Sequence, residues 1–290
     1  MLAVLLSLAA AACFALGSLN VAGVSPRVGP LQLVRWQMTF ACVMTGAIAL
    51  SLGGFQTVTA EGFLWLLASS ATGVMIGGLT YIAAIQTLGP RLFALFFTLS
   101  APFALILGYL FRDETVTLWQ GIGVVLILAG IVLAILAPRG DGAGRARALG
   151  MGVTLGLVTA LMQALGNLTA RPAMLAGTEP FAAIAIRTGL AVLFFAALLA
   201  LPRLRPAAVL AGPDARKIGL SALTGMVVGM SLLMAALARG DVGIVSTLSS
   251  TTPILILPMV WVATGRRPGW PAWAGAALAV AGTALISLAA

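Results

Sequence analysis

Polar and charged residues in this chain gather in short clusters, and between the clusters run ten stretches that are almost wholly apolar. Each stretch approaches the length of about 20 residues that an α-helix needs to cross a hydrocarbon core of about 30 Å. The pattern predicts ten transmembrane helices, over residues 2–22, 31–52, 63–88, 91–111, 117–137, 149–171, 181–201, 218–238, 242–264 and 270–289. The breaks carry Gly, Pro or charge: Ser25-Pro26-Arg27, Gly53-Gly54, Gly89-Pro90, Arg112-Asp113-Glu114, residues 138–147, residues 202–217, and Arg266-Arg267-Pro268. The first stretch lacks a basic leading segment and another span follows closely, so it reads as a permanent helix and not a cleaved signal.

The two halves repeat each other. Ala15-Leu16-Gly17-Ser18 matches Ala164-Leu165-Gly166-Asn167 at an offset of 149, and Thr72-Gly73 with Gly77 matches Thr224-Gly225 with Gly229 at 152. Ala83-Ala84 matches Ala235-Ala236, Pro102 matches Pro253, and Gly123, Ala129 and Gly130 match Gly275, Ala281 and Gly282. The order and near-constant offset hold over five helices. Five is odd, so a second copy enters the membrane from the opposite side, and the expected fold is all-α with ten helices in two inverted five-helix repeats. The repeats take residues 1–138 and 149–290, joined by a loop over 139–148.

Composition narrows the class. Hydrophobic residues make up 61% and charged residues 8%, against roughly a quarter charged in a soluble domain. The formal charge of +9 comes from basic residues placed mainly between the apolar stretches, where they set orientation and meet anionic headgroups, so nucleic acid is not an expected partner. The expected partners are a small-molecule solute and the bilayer, and a monomer suffices. Lys217 stands against 15 Arg in a chain rich in Ala and Gly, which suggests a GC-rich bacterial genome and hence the cytoplasmic (inner) membrane. Cys13 and Cys42 fall inside apolar stretches and read as small buried residues, with no metal or other cofactor expected.

Glu114, followed by Trp119-Gln120-Gly121-x-Gly123 and Ala129-Gly130, resembles the signature joining the fourth and fifth helices in the EamA-type branch of the drug/metabolite transporter superfamily. Ala83-Ala84 and Pro102 resemble the same branch, and the second copy departs from it with Gly265-Arg266 where a Glu is usual. The resemblance implies a ten-helix exporter of amino acids and related metabolites.

The most polar helix centres are those around Thr98, Ser100 and Pro102, and around Ser246, Thr247, Ser249, Ser250, Thr251, Thr252 and Pro253. A proline frees the carbonyl four residues back, which a hydroxyl or a ligand can satisfy. Two such helices at equivalent places suggest a central cavity. Gln163 and Asn167 lie four apart on one face, and Ser18 is the repeat partner of Asn167. An amide in lipid needs a partner, so these face the interior. Tyr81 and Trp36 are candidates for lining a pocket, while Trp119, Trp270 and Trp273 stand at helix ends as interface anchors. Arg35 and Arg187 are the charges deepest in the stretches, read either as snorkelling to the surface or as partners for a carboxylate on the solute. Gly73, Gly77, Gly225 and Gly229 form two small-xxx-small pairs for close packing or sliding. Glu114 reads as complementing a helix N-terminus.

Residue chemistry argues against catalysis. There is no His, and the seven acids (Glu61, Asp113, Glu114, Asp141, Glu179, Asp214, Asp241) stand at or beyond the ends of the stretches. A membrane-embedded Ser nucleophile would lack an obvious base, and no ring of charge or carbonyl filter suggests a channel. A nucleotide-sugar carrier on the same fold is the rival; it calls for several cavity cations, and only Arg35 and Arg187 qualify. With no acid or His at depth, facilitated diffusion is expected over proton coupling. Eleven Arg and Lys fall in alternate loops against three in the others, which places both termini outside the cytoplasm, whereas the family resemblance implies both inside; the expectation follows the charge count.

Overall fold

The computed structural model describes residues 2–24, 28–112, 117–136, 143–202, 210–237, 248–249, 251–265 and 267–288. These are helical nearly throughout, with no strand among the described residues. In chain order the helices are α1 (Leu2–Ala22), α2 (Pro30–Ser51), α3 (Ala60–Leu88), α4 (Pro90–Phe97 and Ser100–Arg112), α5 (Leu118–Leu136), α6 (Ala143–Leu175), α7 (Pro180–Ala197), α8 (Gly212–Ser221 continuing to Leu237), α9 (Thr252–Thr264) and α10 (Trp270–Leu288). Seven of them are long and apolar enough to cross a membrane, and three shorter apolar helices lie over Leu118–Leu133, Thr252–Thr264 and Trp270–Ile286, all counted among the described residues.

Helix starts follow the local chemistry. Thr59 caps α3 by accepting from Gly62 N at 3.0 Å. Pro30, Pro90, Pro180 and Pro213 open helices, where the missing N–H costs nothing. Glu179 accepts from Phe181 N at 2.9 Å and Ala182 N at 2.7 Å, so its charge is spent at the start of α7. Glu61 and Asp214 occupy the first turns of α3 and α8. The three described acids thus stand where the sequence placed them; Asp113, Glu114, Asp141 and Asp241 lie outside the described residues.

Three helices differ from their expected extents, and α9 is helical from Thr252, with residues 242–247 and 250 of its expected span outside the described residues. α6 begins six residues early and runs through Pro172 to Leu175, giving about 50 Å of helix, more than a bilayer core needs. Its first turns carry Arg145 and Arg147. α8 likewise starts before the apolar stretch, so Arg216 and Lys217 are helical, though still at the same end. α4 is not continuous: it breaks at Thr98-Leu99, with turn bonds Thr98 N to Leu95 O and Leu99 N to Phe96 O.

Helices α3 and α8 each contain a widened π-helical segment, Ser70–Ile76 and Ala222–Gly229. The two begin 152 residues apart, at the repeat offset. Packing follows the same correspondence. α1 lies on α8 and α9; its counterpart α6 lies on α3 and α4. α2 packs on α7, α4 on α9 and α5 on α10, each helix meeting its own counterpart.

Candidate functional site

Glycines set the closest approaches. A Cβ on Gly166 would lie 2.7 Å from the Gly73 Cα, and a Cβ on Gly17 would lie 3.1 Å from the Gly225 Cα. Each crossing is tied by a serine: Ser69 Oγ donates to Gly166 O at 2.6 Å, and Ser221 Oγ donates to Gly17 O at 2.9 Å. Gly73 and Gly225 therefore do pack closely, but against Gly166 and Gly17. Gly77 faces the Met162 Cβ and Gly229 faces the Phe14 ring. Ser69 and Ser221 escaped the sequence reading, although they too are separated by the repeat offset.

Above the α1–α8 crossing, Ser18 Oγ donates to Phe14 O at 2.9 Å and lies 2.9 Å from the Tyr81 hydroxyl. With the serine proton directed to the carbonyl, Tyr81 is the donor to Ser18. The Tyr81 ring meets Phe93 of α4 edge-on at 4.9 Å, and Phe93 meets Phe97 at 5.8 Å. Trp36 joins the same apolar cluster from α2 and tilts against Phe40 at 5.9 Å. Arg35, half-buried, lies over the Trp36 ring at 5.7 Å. The two aromatic candidates thus share one cluster.

The proline sites resolve into helix starts. Pro102 is the third residue of the second piece of α4, and Pro253 the second of α9, both buried. Thr98 O, four residues before Pro102, accepts from Ala101 N at 3.1 Å. Ser249 O, four before Pro253, accepts from the Thr252 hydroxyl at 3.0 Å, which also lies 3.4 Å from Ala11 O on α1. Thr98 and Thr251 donate to Leu95 O at 2.6 Å and Leu248 O at 2.7 Å. Ser100 is half-buried at the start of the second piece of α4. In this conformation Thr98, Thr251 and Thr252 are turned onto backbone carbonyls. Ser246, Thr247, Ser250 and Glu114 lie outside the described residues.

Gln163 and Asn167 pair with each other, amide to amide, at 3.0 Å along one face of α6. The most unusual group is Arg187 on α7. Its side chain is 1% exposed, and Nε, Nη1 and Nη2 are all buried without a hydrogen-bond partner among the described residues. A Cβ on Gly73 would lie 3.0 Å from Nη2, which places the guanidinium against the π-helical turn of α3. The Arg187 carbonyl accepts from Ser70 Oγ at 2.6 Å. This geometry excludes snorkelling for Arg187: the charge ends inside the bundle. A surface depression at the start of α8 is lined by Gly212, Pro213, Arg216, Lys217 and Leu220, none of them a candidate site residue. Both cysteines are free, and the described residues contain no cluster of metal-ligating side chains.

A solved structure titled "Crystal structure of protein" superposes with a TM-score of 0.70 at 17% sequence identity, covering 99% of this chain and 97% of that one. That likeness shows a shared fold. No curated protein sequence matches the chain. The model of the EamA-like transporter family matches twice, over residues 1–136 and 150–288. Two copies of that unit span nearly the whole molecule, and the glycine crossings join one copy to the other; this chain is a multi-pass membrane protein of the EamA-like transporter family, within the drug/metabolite transporter superfamily.

Proposed function

We propose that the chain is a ten-helix carrier, built of two five-helix units of opposite orientation, that exports small amphipathic metabolites, amino acids foremost, across the bacterial inner membrane by alternating access. The family supplies the coarse statement, a membrane transporter of small solutes. The observation that supports alternating access is the inequality of the two glycine crossings. At the α3–α6 crossing the added-Cβ distances to the facing Cα are 2.7 and 3.1 Å, and at the α1–α8 crossing 3.1 and 3.9 Å. The serine ties are 2.6 and 2.9 Å in the same order. A pair of related crossings, one tight and one looser, has a second arrangement in which the inequality is reversed, and an inverted repeat converts that exchange into access from the other side.

In this reading Ser18, Asn167, Gln163, Tyr81, Trp36, Thr98, Ser100, Thr251 and Thr252 line the path once their mutual bonds open. The glycines Gly73, Gly77, Gly225 and Gly229 carry the sliding faces, and Pro102 and Pro253 end rigid segments. Bonds between neutral groups within a membrane bundle are worth about 0.6 kcal/mol on average, so exchanging them for bonds to a solute is energetically cheap. Flux follows the solute's own gradient. The test is efflux from liposomes holding the purified protein, with a panel of amino acids, sugars and nucleotides. Saturable efflux of amino acids supports the reading. Transport confined to nucleotides or nucleotide sugars transfers the chain to the rival class, and no flux of any solute refutes alternating-access export.

A further inference from the structure

Gln37 and Arg187 occupy equivalent places, seven residues after Pro30 and Pro180, the prolines that open α2 and α7. In the first half the amide is satisfied: Gln37 Nε2 donates to Ser221 Oγ at 2.8 Å, and Ser221 in turn ties Gly17 O. In the second half the corresponding serine, Ser69, ties Gly166 O, but a cation replaces the amide and nothing described completes its shell. The scaffold therefore has room for a neutral, fully bonded solution at this position, and uses it once. The Arg187 Cα lies about 10 Å down the helix axis from the start of α7, and its guanidinium is buried within the bundle. An unpaired charge there is costly, and such residues in membrane helices mark solute or ion pathways. The described acids cannot supply the counter-charge: Glu61 and Asp214 are in first turns, and Glu179 is committed to the α7 N-terminus.

We infer that Arg187 is a carboxylate-binding residue, and that its partner is the carboxylate of the transported solute, admitted when the tight α3–α6 crossing opens. The inference deepens the export reading and rests on it for the identity of the solute. A guanidinium offers two parallel N–H donors to a carboxylate, so the pair is both strong and oriented. The π-helical turn of α3 gives the side chain its place: Gly73 leaves the space that Nη2 fills, and Ser70 holds the α7 backbone beside it. Opening this crossing would expose the cation on one side of the membrane only, which couples solute capture to the change of access. Both cations and solutes other than carboxylates are discriminated against by the same group.

The experiment compares wild type, Arg187→Gln and Arg187→Lys, with L-leucine and L-methionine against their carboxamides. Gln is the residue the other half uses at this position, so Arg187→Gln is expected to fold, as checked by gel filtration and thermal unfolding in detergent. Two readouts are taken: thermal stabilisation of purified protein by each compound, and counterflow in liposomes. The inference expects stabilisation of wild type by the amino acids and not by the amides. In Arg187→Gln both stabilisation and amino-acid flux fall roughly tenfold or more, the value of a hydrogen bond to a charged group; Arg187→Lys retains part. Equal responses of wild type and Arg187→Gln to the amino acids overturn it, as does wild type preferring the carboxamides or responding to neither. Carboxylate binding that depends on Arg187 without any amino-acid flux sustains the inference and refutes amino-acid export instead.

Discussion

Replacing Gly166 by Ala tests the central crossing most directly. The new methyl would stand 2.7 Å from Gly73 Cα and 3.0 Å from Gly73 N, with Ser69 O at 3.5 Å. Carbon–carbon contact wants about 3.5–4.0 Å, so α3 and α6 must part by roughly 1 Å. Both crowded atoms are backbone, so no side chain can rotate away. Parting by that amount also stretches the Ser69 bond to Gly166 O from 2.6 Å toward the limit of a hydrogen bond. Overpacking of this kind costs about 1–3 kcal/mol, while Gly to Ala within a helix returns about 1 kcal/mol through propensity. The expected net loss is about 0–2 kcal/mol, or up to roughly 8 °C in Tm at about 2–4 °C per kcal/mol. The informative quantity is the comparison with Gly46→Ala in α2, where an added Cβ meets nothing within 4 Å and only the favourable terms apply. Gly17→Ala, with its nearest atoms at 3.1 and 3.2 Å, should fall between the two. The assay is thermal unfolding of the three purified variants in one detergent. A Gly166→Ala protein as stable as Gly46→Ala would show that the crossing is not tight and remove the inequality on which the exchange between states depends.

Tyr81→Phe should lower stability by only about 0.6 kcal/mol, because Ser18 keeps its bond to Phe14 O; a loss above about 2 kcal/mol in detergent unfolding refutes the pairing described. Reporter fusions after Ala290 should be active only outside the cytoplasm, as the eleven-to-three distribution of Arg and Lys dictates; fusions active only in the cytoplasm overturn that orientation. Counterflow should persist when the pH gradient is collapsed, and Glu114→Gln should transport like wild type, since all seven acids of the sequence stand at or beyond the ends of the apolar stretches; flux that vanishes in either case, with folded protein retained, overturns facilitated diffusion.

Helix placement was legible because the cost of leaving backbone or charge in lipid fixes where an apolar run must begin and end. The repeat was legible for the same reason that it packs: Gly73, Gly166 and Gly17 leave little or no room for a Cβ at the crossings, so the glycines stand out at near-constant offset. The pairing of Gln163 with Asn167 followed from a spacing of four on one helix. Partners on different helices were not legible. Nothing in the sequence joins Ser18 to Tyr81, or Gln37 to Ser221, because in helices apolar on every side the inward face is not marked by periodicity. Serines and threonines are ambiguous for a further reason. Thr45, Thr188 and Thr283 spend their protons on carbonyls four residues back in their own helices, whereas Ser69 and Ser221 cross to a neighbour. The depth of the Arg187 head group was equally hidden, since a side chain of that length can point either way along the helix.

The contact between α5 and α10 is self-matching under the repeat correspondence. A Cβ on Gly123 would lie 2.5 Å from Gly282 O, and one on Gly130 would lie 2.5 Å from Gly275 O. Gly275 corresponds to Gly123 and Gly282 to Gly130, so the patch meets its own likeness turned about, as in an isologous dimer interface. A five-helix half carrying this patch would be self-complementary, and two separate copies inserted in opposite senses would have been able to assemble before any linker joined them. Within one chain the two copies need not be identical, and Gln37 and Arg187 are a pair of equivalent positions at which they differ in charge.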